Sequence, residues 1–140
     1  RLLNWNVEPF LIASTVKGIL AQRLVRRICK ECKRPHEPTE EELKRLGIEP
    51  DDMIKAFKGK GCLSCRNTGY KGRIGIYELL LVDAEISELV LNQAPGYKIR
   101  EQARKNGMRT LLEDGIIKIE RGDTTISEVY ETLGTTKIML

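Results

Sequence analysis

The sequence predicts an α+β chain: a helix and an antiparallel strand pair, a tetracysteine insert carried between the strands, and a small bundle of helices after them. Three observations predict it. The four cysteines fall into two pairs, Cys29-Lys-Glu-Cys32 and Cys62-Leu-Ser-Cys65, with none elsewhere. Runs rich in apolar and β-branched residues flank these pairs at 22–28 and 73–82, the first nearly alternating. From Asp83 onward the apolar residues recur with the helical period instead.

The first element is a helix over 9–20, with Pro9 in its first turn and Glu8 before it. Phe10, Leu11, Ala13, Val16, Ile19 and Leu20 give it a wide apolar face, so it is expected to be largely buried. Gly18 is unfavourable inside a helix by about 1 kcal/mol relative to Ala, which points to close backbone packing there. A strand over 22–28 then runs into the first cysteine pair. Between the pairs, Thr39-Glu-Glu-Glu42 is a capping box that opens a short helix closed by Gly47. Pro50-Asp51-Asp52 begins a second helix or turn reaching about Phe57. The return strand, 73–82, is the best in the chain and pairs with 22–28, because the cysteine pairs pin their ends together. Helices follow over 84–92, 97–106 and 110–120, punctuated by Pro95-Gly96, Gly107 and Gly122. Thr125-Ile-Ser-Glu128 is a second capping box, opening the stripe Ile126, Val129, Tyr130 and Leu133.

A gap of two residues lets both thiolates of a pair turn toward one point. Two pairs supply the four sulfur ligands of a closed, tetrahedral structural Zn²⁺ site, formed by Cys29, Cys32, Cys62 and Cys65. Gly59, Gly61 and Gly69 flank the second pair, where the chain must bend tightly. Two disulfides would need an oxidising compartment, for which the sequence gives no sign. A redox dithiol would leave the second pair without a role. Four thiolates leave no position for water, so the metal is structural. His36, the one histidine, reads as a solvated loop residue. The insert has few apolar anchors (Leu43, Leu46, Ile48, Met53, Ile54, Phe57), so its stability is expected to come from the metal.

A net charge of +4 with 31% charged residues describes a soluble globular chain. No apolar run is long enough to cross a bilayer, and no signal peptide is present. The first residues, without Met and apolar from Leu2, read as the interior of something longer. Lys55, Lys58, Lys60, Arg66, Lys71 and Arg73 share residues 53–77 with no acid at all. A zinc-ribbon module binding nucleic acid is the alternative this cluster raises. The simpler account is that cations offset the −2 charge of Zn²⁺ with four thiolates, and aromatic stacking platforms are scarce. There is no phosphate loop, no Gly-x-Gly-x-x-Gly and no Ser/His/Asp set, so the segment alone is not expected to be catalytic.

Several motifs agree with one family in their order along the chain. They are Val7-Glu-Pro-Phe-Leu-Ile-Ala-Ser14, Leu20-Ala-Gln-Arg-Leu-Val-Arg-Arg27, the cysteine pairs, Gly69-Tyr-Lys-Gly-Arg-Ile-Gly-Ile-Tyr-Glu78, Gly107-Met-Arg-Thr-Leu111 and Asp114-Gly115. Together they resemble the C-terminal part of the ATPases that drive type II secretion and assemble type IV pili. Retraction ATPases of that superfamily lack the zinc insert, so the cysteines point to the assembly or secretion branch. The resemblance implies the end of a P-loop ATPase core over 1–28, the tetracysteine zinc insert over 29–72, the return strand over 73–82, the helical bundle over 83–134 and a flexible tail over 135–140. It implies a cytoplasmic homo-hexamer, peripheral to the bacterial inner membrane, that binds ATP and Mg²⁺ mainly upstream of this segment. The expected partner is an inner-membrane platform protein, and neither nucleic acid nor a transmembrane segment is expected. Arg23 and Arg73 are candidates to approach nucleotide or a neighbouring subunit; offsetting the zinc–thiolate charge is the competing role.

Overall fold

The computed structural model describes residues 1–134, and the tail expected over 135–140 lies outside the described residues. A 3-10 turn at Leu3–Trp5 precedes helix α1 (Pro9–Thr15) and strand β1 (Gly18–Ile28). Strand β2 (Lys33–His36), helix α2 (Glu40–Arg45) and strand β3 (Ala56–Gly59) make up the insert, and strand β4 (Tyr70–Leu81) returns. Helices α3 (Ala84–Leu91), α4 (Gly96–Lys105), α5 (Leu111–Glu120) and α6 (Ile126–Leu133) follow. The fold is α+β with two small two-stranded sheets, β1–β4 and β2–β3. Among the described residues no helix is long and apolar enough to cross a membrane.

The β1–β4 ribbon is antiparallel. The Cys29 N–H donates to the Gly69 carbonyl (2.9 Å) at one end and the Val82 N–H to the Lys17 carbonyl (3.0 Å) at the other. Both strands are longer than the sequence suggested, and α1 is correspondingly shorter. At Val16 the backbone becomes extended (φ −77°, ψ 120°), and Gly18 already belongs to the ribbon. A Cβ on Gly18 would lie 3.3 Å from the Leu80 carbonyl oxygen, so the close approach expected there is real but serves a strand. Nor is α1 largely buried: only Ile12 is, while Phe10 is 66% exposed.

Contacts divide the chain into two units, one holding Arg1–Ala21 and Glu78–Thr110, the other Gln22–Tyr77 and the segment from Leu111 onward. The single bundle expected after Asp83 is therefore split. In the first unit α3 packs on α1 and on α4 around Ile12, Ile86, Val90 and Ala103. Asp83 caps α3 through the Ile86 N–H (3.0 Å) and also accepts from Asn106 Nδ2 (2.7 Å).

In the second unit α5 packs on α6 and β3, and α6 reaches α2. Ile28, Ile76, Ile119 and Val129 are among its fully buried side chains. Gly115 admits this packing, since a Cβ there would sit 2.8 Å from Val129 Cγ1. The second sheet was not foreseen. Its register pairs Lys33 with Gly59, Arg34 with Lys58, Pro35 with Phe57 and His36 with Ala56, where a helix or turn was expected to run to Phe57. Lys33-Arg-Pro-His36 has no apolar alternation and contains a proline, so nothing local marks it as a strand. His36 is not a solvated loop residue either, because its Nε2 lies 2.9 Å from Glu42 Oε1. Burial resists the charge on Glu42, but the His36 contact and the Thr39 N–H outweigh it and hold its carboxyl below the ordinary value.

Thr39 forms the expected capping box with both halves present. At Thr125 only one half forms. Its Oγ1 accepts the Glu128 N–H (3.1 Å), but the Glu128 carboxylate turns to Arg26, taking its backbone N–H (2.8 Å), Nε (2.9 Å) and Nη2 (2.7 Å). Arg26 also stacks over Tyr70, 4.1 Å from the ring centroid, and the Tyr70 hydroxyl meets Thr125 Oγ1 at 2.8 Å. Thr124 Oγ1 donates to the Arg26 carbonyl (2.8 Å), and the Ile28 N–H donates to the Asp123 carbonyl (3.0 Å). The α5–α6 turn thus clamps the end of the ribbon that leads into the first cysteine pair.

Candidate metal centre

Cys29 follows the last residue of β1, and a turn carries the chain through Cys32 into β2. The second pair lies in the turn between β3 and β4. Two backbone bonds hold the turns together: Cys29 N–H to Gly69 carbonyl (2.9 Å) and Lys60 N–H to Cys32 carbonyl (3.0 Å). Gly59 and Gly69 face each other so closely that a Cβ on Gly59 would lie 2.2 Å from the Gly69 carbonyl oxygen. Gly69 also needs φ +84°, a left-handed conformation that side chains disfavour. Gly59→Ala should therefore cost about 2–4 kcal/mol of stability and loosen metal binding. Thermal unfolding together with zinc retention under a weak chelator checks this; unchanged values would show that the approach is not needed.

The four Sγ atoms lie within 4.8 Å of one another. Cys29–Cys62 is 3.7 Å, Cys32–Cys65 is 3.8 Å and Cys62–Cys65 is 3.7 Å. A tetrahedron of sulfurs with bonds of about 2.3 Å has edges of about 3.8 Å, so the observed spacing suits a metal ion. It does not suit a disulfide, whose sulfurs sit about 2.05 Å apart, and all four cysteines are free. Cys29, Cys32 and Cys65 are buried and Cys62 is half-buried; they pack against one another as a core of their own.

Backbone donors prepare the sulfurs for negative charge. The Gly61 N–H points at Cys32 Sγ (3.2 Å), and the N–H groups of Cys62 (3.3 Å) and Gly69 (3.2 Å) both point at Cys65 Sγ. Burial resists ionisation of Cys65, but the N–H groups of Gly69 and Cys62, with the Cys62 and Cys32 thiols, outweigh it and lower its pKa to about 6. Burial pushes Cys32 up to about 11, against a single N–H from Gly61. A thiol that is still protonated must lose its proton to solvent as a metal binds. Arg27, Lys30 and Lys71, with Glu31, border an open cavity beside Cys29, leaving net positive charge near this sulfur set. Lys71 Nζ is held there by Ser64 Oγ at 2.9 Å.

Arg23 and Arg73 are both exposed. Arg23 is six positions before Cys29 on β1, about 20 Å at strand rise, and its Nη1 bonds the Gln22 carbonyl (2.9 Å). Arg73 borders a second open cavity, of about 370 Å³, with Arg26, Tyr70 and Lys71. Sequence reasoning missed Arg26 and its partner Glu128. The usable signal was Glu128 itself, a capping-box acid that turns out to be bonded elsewhere.

The family model described as "Type II/IV secretion system protein" matches residues 1–131. The chain belongs to this family. Within it, a "Type IV pilus assembly ATPase PilB" of Thermus thermophilus is 46% identical over 131 residues, covering 92% of this chain and 15% of that protein. A "Type II secretion system ATPase E" of Vibrio cholerae is 39% identical over 129 residues, covering 92% and 25%. A "Type IV pilus assembly ATPase PilB" of Pseudomonas aeruginosa is 41% identical over 132 residues, covering 92% and 23%. The chain therefore spans about a quarter or less of these family members. Members with pilus and with secretion names match it about equally well.

Proposed function

We propose that this chain is the C-terminal, zinc-clipped portion of a cytoplasmic ATPase that powers type IV pilus assembly or type II protein secretion. Family membership supports the parent assignment, and the relatives carry ATPase names of both kinds. The observation that carries the zinc reading is the set of four Sγ atoms within 4.8 Å, three of whose separations, 3.7–3.8 Å, match the edge of a zinc–sulfur tetrahedron. Zn²⁺ here is structural. It ties the turn after β1 to the turn before β4, and with four thiolates it has no position left for a reacting water. ATP and Mg²⁺ bind mainly in parts of the parent outside these 140 residues. The parent works as a homo-hexamer at the inner face of the bacterial inner membrane, against a platform protein embedded there.

Arg23 and Arg73 are the residues of this segment proposed to approach nucleotide or the neighbouring subunit. For Arg23, its position six residues before Cys29 on β1 supports this over a role in offsetting the zinc charge. Metal analysis of the purified chain tests the first part: one zinc per chain is expected, and a metal-free, folded chain would contradict it. Arg23→Ala and Arg73→Ala in the intact hexamer test the second. At least one should lower ATP turnover about tenfold or more with zinc content unchanged, as for loss of a positioned cation. Unchanged turnover in both would reject the nucleotide role.

A further inference from the structure

The second unit carries an open groove of about 590 Å³ between the α2–β3 connection and α5, away from the cysteines in sequence and composition. Ile48, Ile54 and Ile116 line it, each half-buried, and Met53 stands beside them 73% exposed. Gly47, Glu49, Asp51, Asp52 and Glu120 complete the lining, all exposed, and no Lys or Arg contributes. None of these four carboxylates has a cation partner among the described residues. They do not form a metal site, since among the described residues only the four cysteines bring ligand atoms to one point.

An apolar groove flanked by uncompensated like charge lowers its energy when a ligand covers the isoleucines and brings the opposite charge. Met53 suits such a surface, because an unbranched thioether adapts to different apolar partners. Anionic lipid and nucleic acid are repelled by four carboxylates, whereas a helix with aliphatic residues on one face and Lys or Arg beside them meets both demands. We propose that this groove is a docking site for a basic amphipathic segment of a partner protein.

The probe is a synthetic amphipathic helix of Leu and Lys, titrated into the intact chain as purified and followed by methyl NMR. Binding is expected to shift Ile48, Met53, Ile54 and Ile116, to weaken as salt is raised, and to be absent for a Leu–Glu helix of the same pattern. The exposed-site variant Asp51→Asn/Asp52→Asn/Glu120→Gln should weaken it about tenfold, and Met53→Ala should weaken it without changing the salt dependence. Equal binding by the charge variant, or shifts confined to other residues, would overturn the proposal. So would self-association of the wild-type chain that the charge variant abolishes, since the groove would then belong to a second copy.

Discussion

Chelating a metal held by the four cysteines is expected to unfold the insert while the unit built on α1, α3 and α4 keeps its structure. The insert contributes few buried apolar side chains, with Leu43, Leu46 and Ala56 the main ones, and its remaining core is the cysteine cluster itself. Structural zinc in peptides binds with about 10–16 kcal/mol, comparable to or larger than the ~5–15 kcal/mol that holds a whole domain together. Removing it leaves β2 and β3, four residues each, with too little buried surface to stay paired. Amide hydrogen exchange reads this by residue. The N–H groups of Cys29, Lys60, Gly61 and Gly69, all bonded within the turns, should lose protection on chelation. Those of Ser87 and Asn92, bonded at either end of α3, should retain it. Cys65→Ser should have the same pattern without a chelator. Protection lost equally in both units would mean that the chain is one cooperative body and that the metal is not local in its effect.

Asp114→Ala should cost about 3–5 kcal/mol, the second large effect. Asp114 is buried on α5, and its Oδ2 accepts both the Tyr77 N–H (2.8 Å) and Lys118 Nζ (2.6 Å). Lys118 is also largely buried, at 12% side-chain exposure, and its Nζ lies 5.3 Å from the Tyr77 ring centroid. Deleting the carboxylate strands a largely buried ammonium and a strand N–H together, and the cost of breaking such a pair exceeds what the intact pair contributes. Asp114→Asn keeps the strand bond and should cost less than Asp114→Ala. Urea unfolding of the two variants decides it: equal losses would show that the charge, and not the strand contact, matters there. The Asp114-Gly115 motif thereby gains a physical reason, with Asp114 fixing β4 to α5 and Gly115 letting Val129 approach.

What the sequence made legible was whatever is decided locally or by side-chain chemistry. Cysteine spacing was enough to anticipate the cysteine cluster, and the structure brings those four sulfurs together. Thr39-Glu-Glu-Glu42 announced α2, and the glycines and Pro95 marked the limits of α3, α4 and α5 to within about two residues. What escaped was decided by distant contact. The β2–β3 sheet owes its register to the two cysteine turns, not to a pattern in Lys33-Arg-Pro-His36. The helical stripe read through Leu20 broke at Val16, because Gly18 and Ile19 are claimed by β4. Glu128 lies 102 positions from Arg26, so a local capping signal could not reveal its use as a clamp. The division of the later helices between two units is likewise a matter of which partners their apolar faces find, which periodicity alone does not state.

X-ray absorption at the zinc edge of the purified chain tests the central claim most directly. Four sulfur neighbours at about 2.3 Å are expected, with no nitrogen or oxygen ligand. A shell with fewer than four sulfurs, or with a water in the fourth place, would contradict it.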